Sequence, residues 1–138
     1  MKVHLVSGGC GFVGRNMVKR LYNTTEDIIL FNDNLMVGKH PDEWLDAPKI
    51  RNNKDIEIYG EGERLWFWKG DFQELLRRML EDPRYLQTTY GLDFDRFHDV
   101  YHFAAIVGGR AMIDGDPMMV ALDLSIDAQF FLWLVRHK

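Results

Sequence analysis

The strongest constraint on this chain is the segment Ser-Gly-Gly-Cys-Gly-Phe-Val-Gly at residues 7–14. It follows a short apolar run at residues 2–7, typical of a buried strand, and it opens a stretch with apolar residues at helical spacing. Two glycine patterns coincide here, the dinucleotide pattern and one with spacings of three: Gly9, Gly11, Gly14 and Gly8, Gly11, Gly14. A turn of this kind lets backbone N–H groups at the helix N-terminus face a pyrophosphate. A purely structural strand-to-helix turn is the alternative.

A carboxylate follows the second predicted strand. Residues 28–31 form an uninterrupted apolar stretch, and Asp33 lies 19 residues beyond Gly14. That offset is expected for a carboxylate that accepts hydrogen bonds from the adenosine ribose hydroxyls, and its charge repels a 2′-phosphate, so NAD is favoured over NADP. Asn32 and Asn34 flank Asp33 and suit a turn, so a solvated turn aspartate is the alternative.

Strands and helices continue to alternate along the chain. Residues 65–69 predict a third strand, and an amphipathic helix starts near Phe72 and stops before Pro83. Residues 100–105 predict a fourth strand, and Asp116-Pro117 begins a last helix that runs to the end. The predicted fold is α/β, a three-layer Rossmann-type parallel sheet with strand order 3-2-1-4 that stops before a fifth strand.

The segment between the second and third strands has a weaker pattern. Prolines, glycines and mixed charges over residues 35–63 predict mostly loop. Within it, Ile56 and Ile58 alternate with charged residues, which allows a small hairpin with the next strand.

Composition narrows the class of partner. The 138 residues suit one domain, residues 1–138, and a net charge of −4 argues against a nucleic-acid surface. No apolar run reaches the length of a membrane span, so we expect no membrane partner. The single cysteine, Cys10, fits a reducing compartment and predicts a cytoplasmic protein. Cys10 is either a low-pKa thiol at a helix N-terminus or filler in the turn.

Four segments together carry a family resemblance: residues 7–14, 33–35, 70–72 and 102–105. With Asp33-Asn34-Leu35, Gly70-Asp71-Phe72 and His102-Phe103-Ala104-Ala105 in this order, the chain resembles the N-terminal half of an extended short-chain dehydrogenase/reductase. This is the NAD-dependent epimerase/dehydratase group that acts on nucleotide sugars. The resemblance implies a Rossmann domain that binds NAD, the partial NAD-binding domain of such an enzyme, with a nucleotide sugar as substrate once a catalytic half is supplied.

The resemblance also assigns cofactor-binding residues. It assigns four residues to the turn that holds the pyrophosphate, namely Gly8, Gly11, Phe12 and Val13, and Gly14 belongs to the same cofactor-binding set because it lets the helix pack against the sheet. It assigns Asp33 and Asn34 to the adenosine ribose and Asp71 and Phe72 to the flanks of the adenine. Ala104 and Ala105 would line the path toward the nicotinamide. Asp71 also suits the N-cap of the helix that begins near Phe72, and the two roles are compatible. Ile106 and Asp123 depart from the family pattern, which carries a polar residue and an asparagine there.

No catalytic residue is predicted. The family uses a tyrosine with a lysine four positions later as its acid/base pair, and none of the five tyrosines has that lysine: Tyr22, Tyr59, Tyr85, Tyr90 and Tyr101. The resemblance implies that the chain belongs to an NAD-dependent epimerase or dehydratase. We expect the 138-residue chain to be inactive on its own, because it lacks this pair. No metal site is predicted, because His98 and His102 are four apart on a strand and would not converge. The alternatives are a non-catalytic NAD-binding or sensing module, and a structural fragment stable only as a homo-oligomer that covers the edge of the fourth strand.

Overall fold

A six-stranded sheet forms the centre of the protein in the computed structural model, which describes residues 2–104 and 117–137. Its strands are β1 Val3–Ser7, β2 Ile28–Asp33, β3 Lys49–Asn53, β4 Ile56–Tyr59, β5 Leu65–Lys69 and β6 Val100–His102. They lie in the order β3-β4-β5-β2-β1-β6. Strands β5, β2, β1 and β6 are parallel, whereas β3 and β4 pair antiparallel to their neighbours.

The four parallel strands have the order predicted from the sequence, since β5, β2, β1 and β6 are the third, second, first and fourth predicted strands. Leu5 of β1 pairs with Leu30 of β2 on one side and with Val100 of β6 on the other. Because parallel strands present their carboxyl ends at one edge, the loops that follow all four strands meet there. The α/β fold class is confirmed.

Helices cover both faces of this sheet, as a three-layer fold requires. They are α1 Phe12–Thr24, α2 Phe72–Glu81, α3 Tyr85–Tyr90 and α4 Pro117–His137. On one face, Val18 and Leu21 of α1 pack in a cluster with Phe31 and other sheet residues. On the other face, Leu75 of α2 and Phe130 of α4 lie in a second cluster, which also contains sheet residues.

The prediction of mostly loop between residues 35 and 63 is wrong for two segments. Residues 49–53 and 56–59 form the hairpin β3–β4, and β4 pairs antiparallel with β5. The suggested pairing of Ile56 and Ile58 with the next strand is confirmed, and both side chains are buried. Strand β3 was missed because four of its five residues are polar and the strand is mostly exposed, so it carries no hydrophobic alternation.

Several predictions concern the neighbourhood of the last strand. The predicted cofactor residue Ala105 and the predicted N-cap Asp116 lie outside the described residues. Helix α4 begins at Pro117, as expected. In the described part of the sheet, β6 pairs with β1 alone, and the homo-oligomer that would cover its other edge stays a prediction.

Among the described helices, none has the length and hydropathy needed to cross a bilayer.

Truncation of a central core residue tests this packing. Leu30 lies in the middle of β2 with 0% exposure, whereas Leu124 on α4 is 63% exposed. We expect Leu30→Ala to lower the free energy of unfolding by about 2–5 kcal/mol, because it leaves a cavity between tightly packed neighbours. Leu124→Ala should change it by less than about 0.5 kcal/mol. Urea denaturation measures both, and equal losses would contradict the described core.

Candidate functional site

A cavity of about 430 Å³ opens where the parallel strands end. It receives residues from the glycine turn, from the ends of β2, β5 and β6, and from α4. Its lining residues are Gly8, Gly11, Phe12, Val13, Gly14, Asn32, Asp33, Asn34, Val37, Gly38, Asp71, Phe72, Phe103, Ala104 and Ile126. A volume of this size is ordinary for a small-molecule site in a protein.

The cavity brings together every predicted cofactor residue that the structure describes. All ten of these residues line it, and only Ala105 lies outside the described part of the chain. Sequence reasoning missed five further lining residues: Asn32, Val37, Gly38, Phe103 and Ile126. Val37 and Gly38 lie in the unpatterned loop and Ile126 lies within α4, where no local motif marks a site. Asn32 and Phe103 are direct neighbours of the predicted cofactor residues Asp33 and Ala104.

Two glycines in the turn are required by close contacts between backbone segments. Gly8 has φ of +66°, and a Cβ atom there would lie 2.7 Å from the carbonyl carbon of Phe103. A Cβ atom at Gly14 would overlap the carbonyl oxygen of Gly8 and lie 2.8 Å from its carbonyl carbon. The first turn of α1 therefore packs directly on the loop that follows β1, with no side chain between them.

This packing leaves the N-terminus of α1 at the cavity. The first intrahelical hydrogen bond runs from the N–H of Arg15 to the carbonyl of Gly11, at 2.9 Å. The N-cap residue Gly11 supplies no side-chain hydrogen bond to the helix. The N–H groups of residues 12–14 precede the helical hydrogen-bond ladder, and the positive end of the helix dipole lies with them. The geometry suits an anionic ligand group.

Asp33 links the end of β2 to the glycine turn. Its Oδ2 accepts a hydrogen bond from the N–H of Cys10 at 3.0 Å, and its Oδ1 accepts one from the N–H of Leu35 at 2.8 Å. The residue is only 8% exposed, so it is not solvated, while its hydrogen bond from Leu35 is the local turn contact that the flanking residues suggested. Each carboxylate oxygen has a second lone pair, which leaves capacity to accept from a ligand.

The end of β5 provides another wall of the cavity. Asp71 caps α2, because its Oδ1 accepts a hydrogen bond from the N–H of Gln73 at 3.1 Å. This confirms the predicted N-cap role. Phe72 is buried, and its ring lies 5.3 Å from the ring of His102. Asp71 and Phe72 also line the cavity, so capping of α2 and contact with a ligand remain compatible for Asp71.

A hydrogen-bonded chain that the sequence did not predict joins β1, β6 and α4. Ser7 Oγ accepts hydrogen bonds from the N–H groups of Phe103 and Ala104, both at 3.0 Å. Ser7 Oγ also lies 2.7 Å from His102 Nδ1, and His102 Nε2 lies 2.9 Å from Asp127 Oδ1, so the imidazole links the hydroxyl to the carboxylate. Residues 7 and 102 are 95 positions apart, and no local signal marks their contact.

The His102 ring also packs against an aromatic side chain of α4. It stacks on Phe130 with the centroids 4.3 Å apart. Among the described residues, no group of histidine, cysteine and carboxylate side chains has the arrangement of a metal site.

Burial affects the acidity of the cysteine and of three of the five tyrosines. Burial, reinforced by the nearby Asp33 carboxylate, raises the pKa of the Cys10 thiol well above its usual range, so the low-pKa alternative is wrong. Burial also raises the pKa of Tyr59, Tyr90 and Tyr101. None of the five tyrosines is among the described residues that line the cavity.

Comparison with protein-family models and with curated proteins finds no match to the sequence. Comparison with solved structures finds several proteins of similar fold. The structure of WbmF from Bordetella bronchiseptica in complex with NAD+ matches with a TM-score of 0.63 and 22% identity, over 99% of this chain and 33% of WbmF. The chain shares the fold of that protein.

Two further structures agree. The epimerase Mth375 from Methanothermobacter thermautotrophicus matches with a TM-score of 0.58 and 20% identity, over 96% of this chain and 31% of its own. A UDP-galactose 4-epimerase matches with a TM-score of 0.57 and 17% identity, over 98% of this chain and 35% of the epimerase. The chain spans about a third of the length of these proteins. The resemblance seen in the sequence is thereby confirmed at the level of the fold.

Adding a methyl group at Gly14, where the helix lies closest to the backbone of Gly8, tests the geometry of the turn. Gly14→Ala should lower the free energy of unfolding by about 1–3 kcal/mol, because the clash with Gly8 outweighs the gain in helix propensity of about 1 kcal/mol. Gly11→Ala is the matched control, since a Cβ there meets its nearest atom at an ordinary 3.5 Å. Thermal unfolding compares the two. A Gly14→Ala protein as stable as Gly11→Ala would contradict the described contact.

Proposed function

We propose that residues 1–138 form the NAD-binding portion of an NAD-dependent nucleotide-sugar epimerase or dehydratase. The observation that carries the proposal is that the ten described residues expected to hold the cofactor line a single cavity. They come from four separate loops, and their convergence does not follow from any one motif. The shared fold with WbmF, whose structure contains NAD+, supports the same assignment.

The cavity fits a dinucleotide in its chemistry. The glycine turn offers backbone N–H groups that have no intrahelical partner, and the contact between Gly14 and Gly8 holds this end of α1 against the loop after β1. In the proposal, the N–H groups of residues 12–14 hold the pyrophosphate, and Asp33 accepts from the ribose hydroxyls. Asn34, next to Asp33, also contacts the adenosine ribose in this proposal. Asp71 and Phe72 flank the adenine, and Ala104 and Ala105 lie toward the nicotinamide.

The buried charge of Asp33 is the basis for choosing NAD over NADP. A 2′-phosphate on the ribose would stand against a carboxylate that two backbone N–H groups fix in place. Because Asp33 is buried, this repulsion is poorly screened. The proposal therefore names NAD as the cofactor.

The chemistry proposed for the whole enzyme is transient oxidation of a sugar hydroxyl. When bound, NAD supplies the hydride acceptor. The described residues that line the cavity bind and orient the dinucleotide. The tyrosine–lysine pair of the family is absent from the sequence, so we propose that the 138-residue chain alone does not turn over a nucleotide sugar.

Titration with NAD and NADP tests the cofactor assignment. We expect the chain to bind NAD more tightly than NADP, and Asp33→Asn to weaken NAD at least about tenfold with little loss for NADP, because a charged acceptor is removed from the ribose. Isothermal titration calorimetry measures the four dissociation constants.

Asp95→Asn is the control, because it removes the same charge from a side chain that is 91% exposed. It should leave both affinities unchanged. No binding of either nucleotide by the wild-type chain would contradict the proposed function. Equal losses for NAD and NADP in Asp33→Asn would remove the ribose role of Asp33.

A further inference from the structure

Asn32 is a buried polar residue at the cavity that has no role in the site as derived above. It precedes Asp33 on β2, so its side chain points to the opposite face of the sheet, toward α2. The residue is 1% exposed, and it is one of the lining residues of the cavity. Burial of an amide is costly unless its hydrogen-bonding groups are satisfied, so its partners indicate what it does.

Both donors of the Asn32 amide are used within the protein. Nδ2 donates to the carbonyl of Trp68 at 3.0 Å and to the carbonyl of Gly70 at 2.8 Å. Because carbonyl oxygens only accept, this environment fixes which end of the amide is nitrogen. The side-chain oxygen therefore has a determined position, facing away from these two carbonyls.

The Oδ1 atom of Asn32 is an acceptor without a partner in the described part of the chain. It accepts none of the hydrogen bonds found there. An unpaired side-chain polar atom that is also fully shielded from solvent occurs among the described residues only at His4 Nδ1, so the unpaired Oδ1 of Asn32 is not fully shielded. Asn32 Oδ1 is therefore in contact with open space. For a residue that is 1% exposed and lines the cavity, that space is the cavity.

The Asp71 carboxylate provides a second acceptor close to Asn32. The carbonyl that Asn32 holds is that of Gly70, and the next residue is Asp71, which also lines the cavity. One oxygen of the Asp71 carboxylate caps α2, and the other is available. Two acceptors and no donor among these side-chain groups select a ligand edge that donates, such as an amino group.

We propose that Asn32 Oδ1 accepts a hydrogen bond from the 6-amino group of adenine and selects adenine over a 6-oxo purine. The inference rests on the proposed NAD function, in which the base lies beyond the ribose-binding Asp33 and beside Asp71. A 6-oxo group would place two carbonyl oxygens against each other and leave Asn32 unpaired, and sites built to pair with a polar group reject analogues that cannot do so.

Binding of NAD and of nicotinamide hypoxanthine dinucleotide, its 6-oxo analogue, tests this role. The wild-type chain should bind NAD about tenfold more tightly than the analogue. Asn32→Ala should reduce this preference to about threefold or less, chiefly through weaker binding of NAD. Calorimetry or quenching of tryptophan fluorescence gives the dissociation constants.

Asn53→Ala is the matched control, because the Asn53 amide likewise donates to a backbone carbonyl, that of Tyr90 at 2.8 Å, but lies outside the cavity. It should keep the full preference. If Asn32→Ala loses affinity equally for both dinucleotides, Asn32 only supports the turn at Gly70, and the inference is overturned. An unchanged preference overturns it as well. If the wild-type chain binds neither dinucleotide, the proposed function fails and this inference with it.

A measurement on the wild-type chain covers the case in which Asn32→Ala does not fold. In nicotinamide 1,N6-ethenoadenine dinucleotide the amino group is locked into an added ring and can no longer donate. We expect this analogue to bind at least about tenfold more weakly than NAD. Binding as tight as that of NAD would contradict an amino-selective acceptor at this end of the cavity.

Discussion

The direct contact between the first turn of α1 and the loop after β1 fixes the position of everything else at the cavity. Gly14 lies so close to Gly8 that no side chain fits between them, and Gly8 in turn packs on the backbone of Phe103. These contacts bring the N-terminus of α1 to the carboxyl edge of the sheet. Without them, the helix N–H groups and the loops after β2, β5 and β6 would not share one space.

Strand β2 connects this turn to the opposite side of the cavity through two adjacent residues. Asp33 accepts from the N–H of Cys10 in the glycine turn, whereas Asn32 donates to the carbonyl of Gly70 after β5. Because neighbouring residues on a strand face opposite sides of the sheet, one strand end can hold two loops at once. The same two side chains keep acceptor capacity toward the cavity, so they support its walls and are also placed to contact a ligand.

The sequence predicted those features that have a local signal. The glycine turn, the four parallel strands and the N-cap at Asp71 each follow from a few consecutive residues, and the structure has all of them. Strand β3 was missed because its stability comes from pairing with β4 rather than from burial of its own side chains. The two partners of His102 lie 95 and 25 positions away in the chain, and those of Asn32 lie 36 and 38 positions away. No short sequence pattern records contacts at such separations, so they were missed.

The most direct test of the account is to locate NAD on the chain by nuclear magnetic resonance. In ¹H–¹⁵N spectra recorded during a titration, we predict that the backbone amide signals of residues 8–14, 33–35 and 70–72 shift together with a single dissociation constant. Signals from the hairpin at residues 49–59 should stay in place. Shifts confined to the hairpin or to the outer face of α4, or no shift in the glycine turn, would contradict the central claim that the turn and Asp33 form one dinucleotide site.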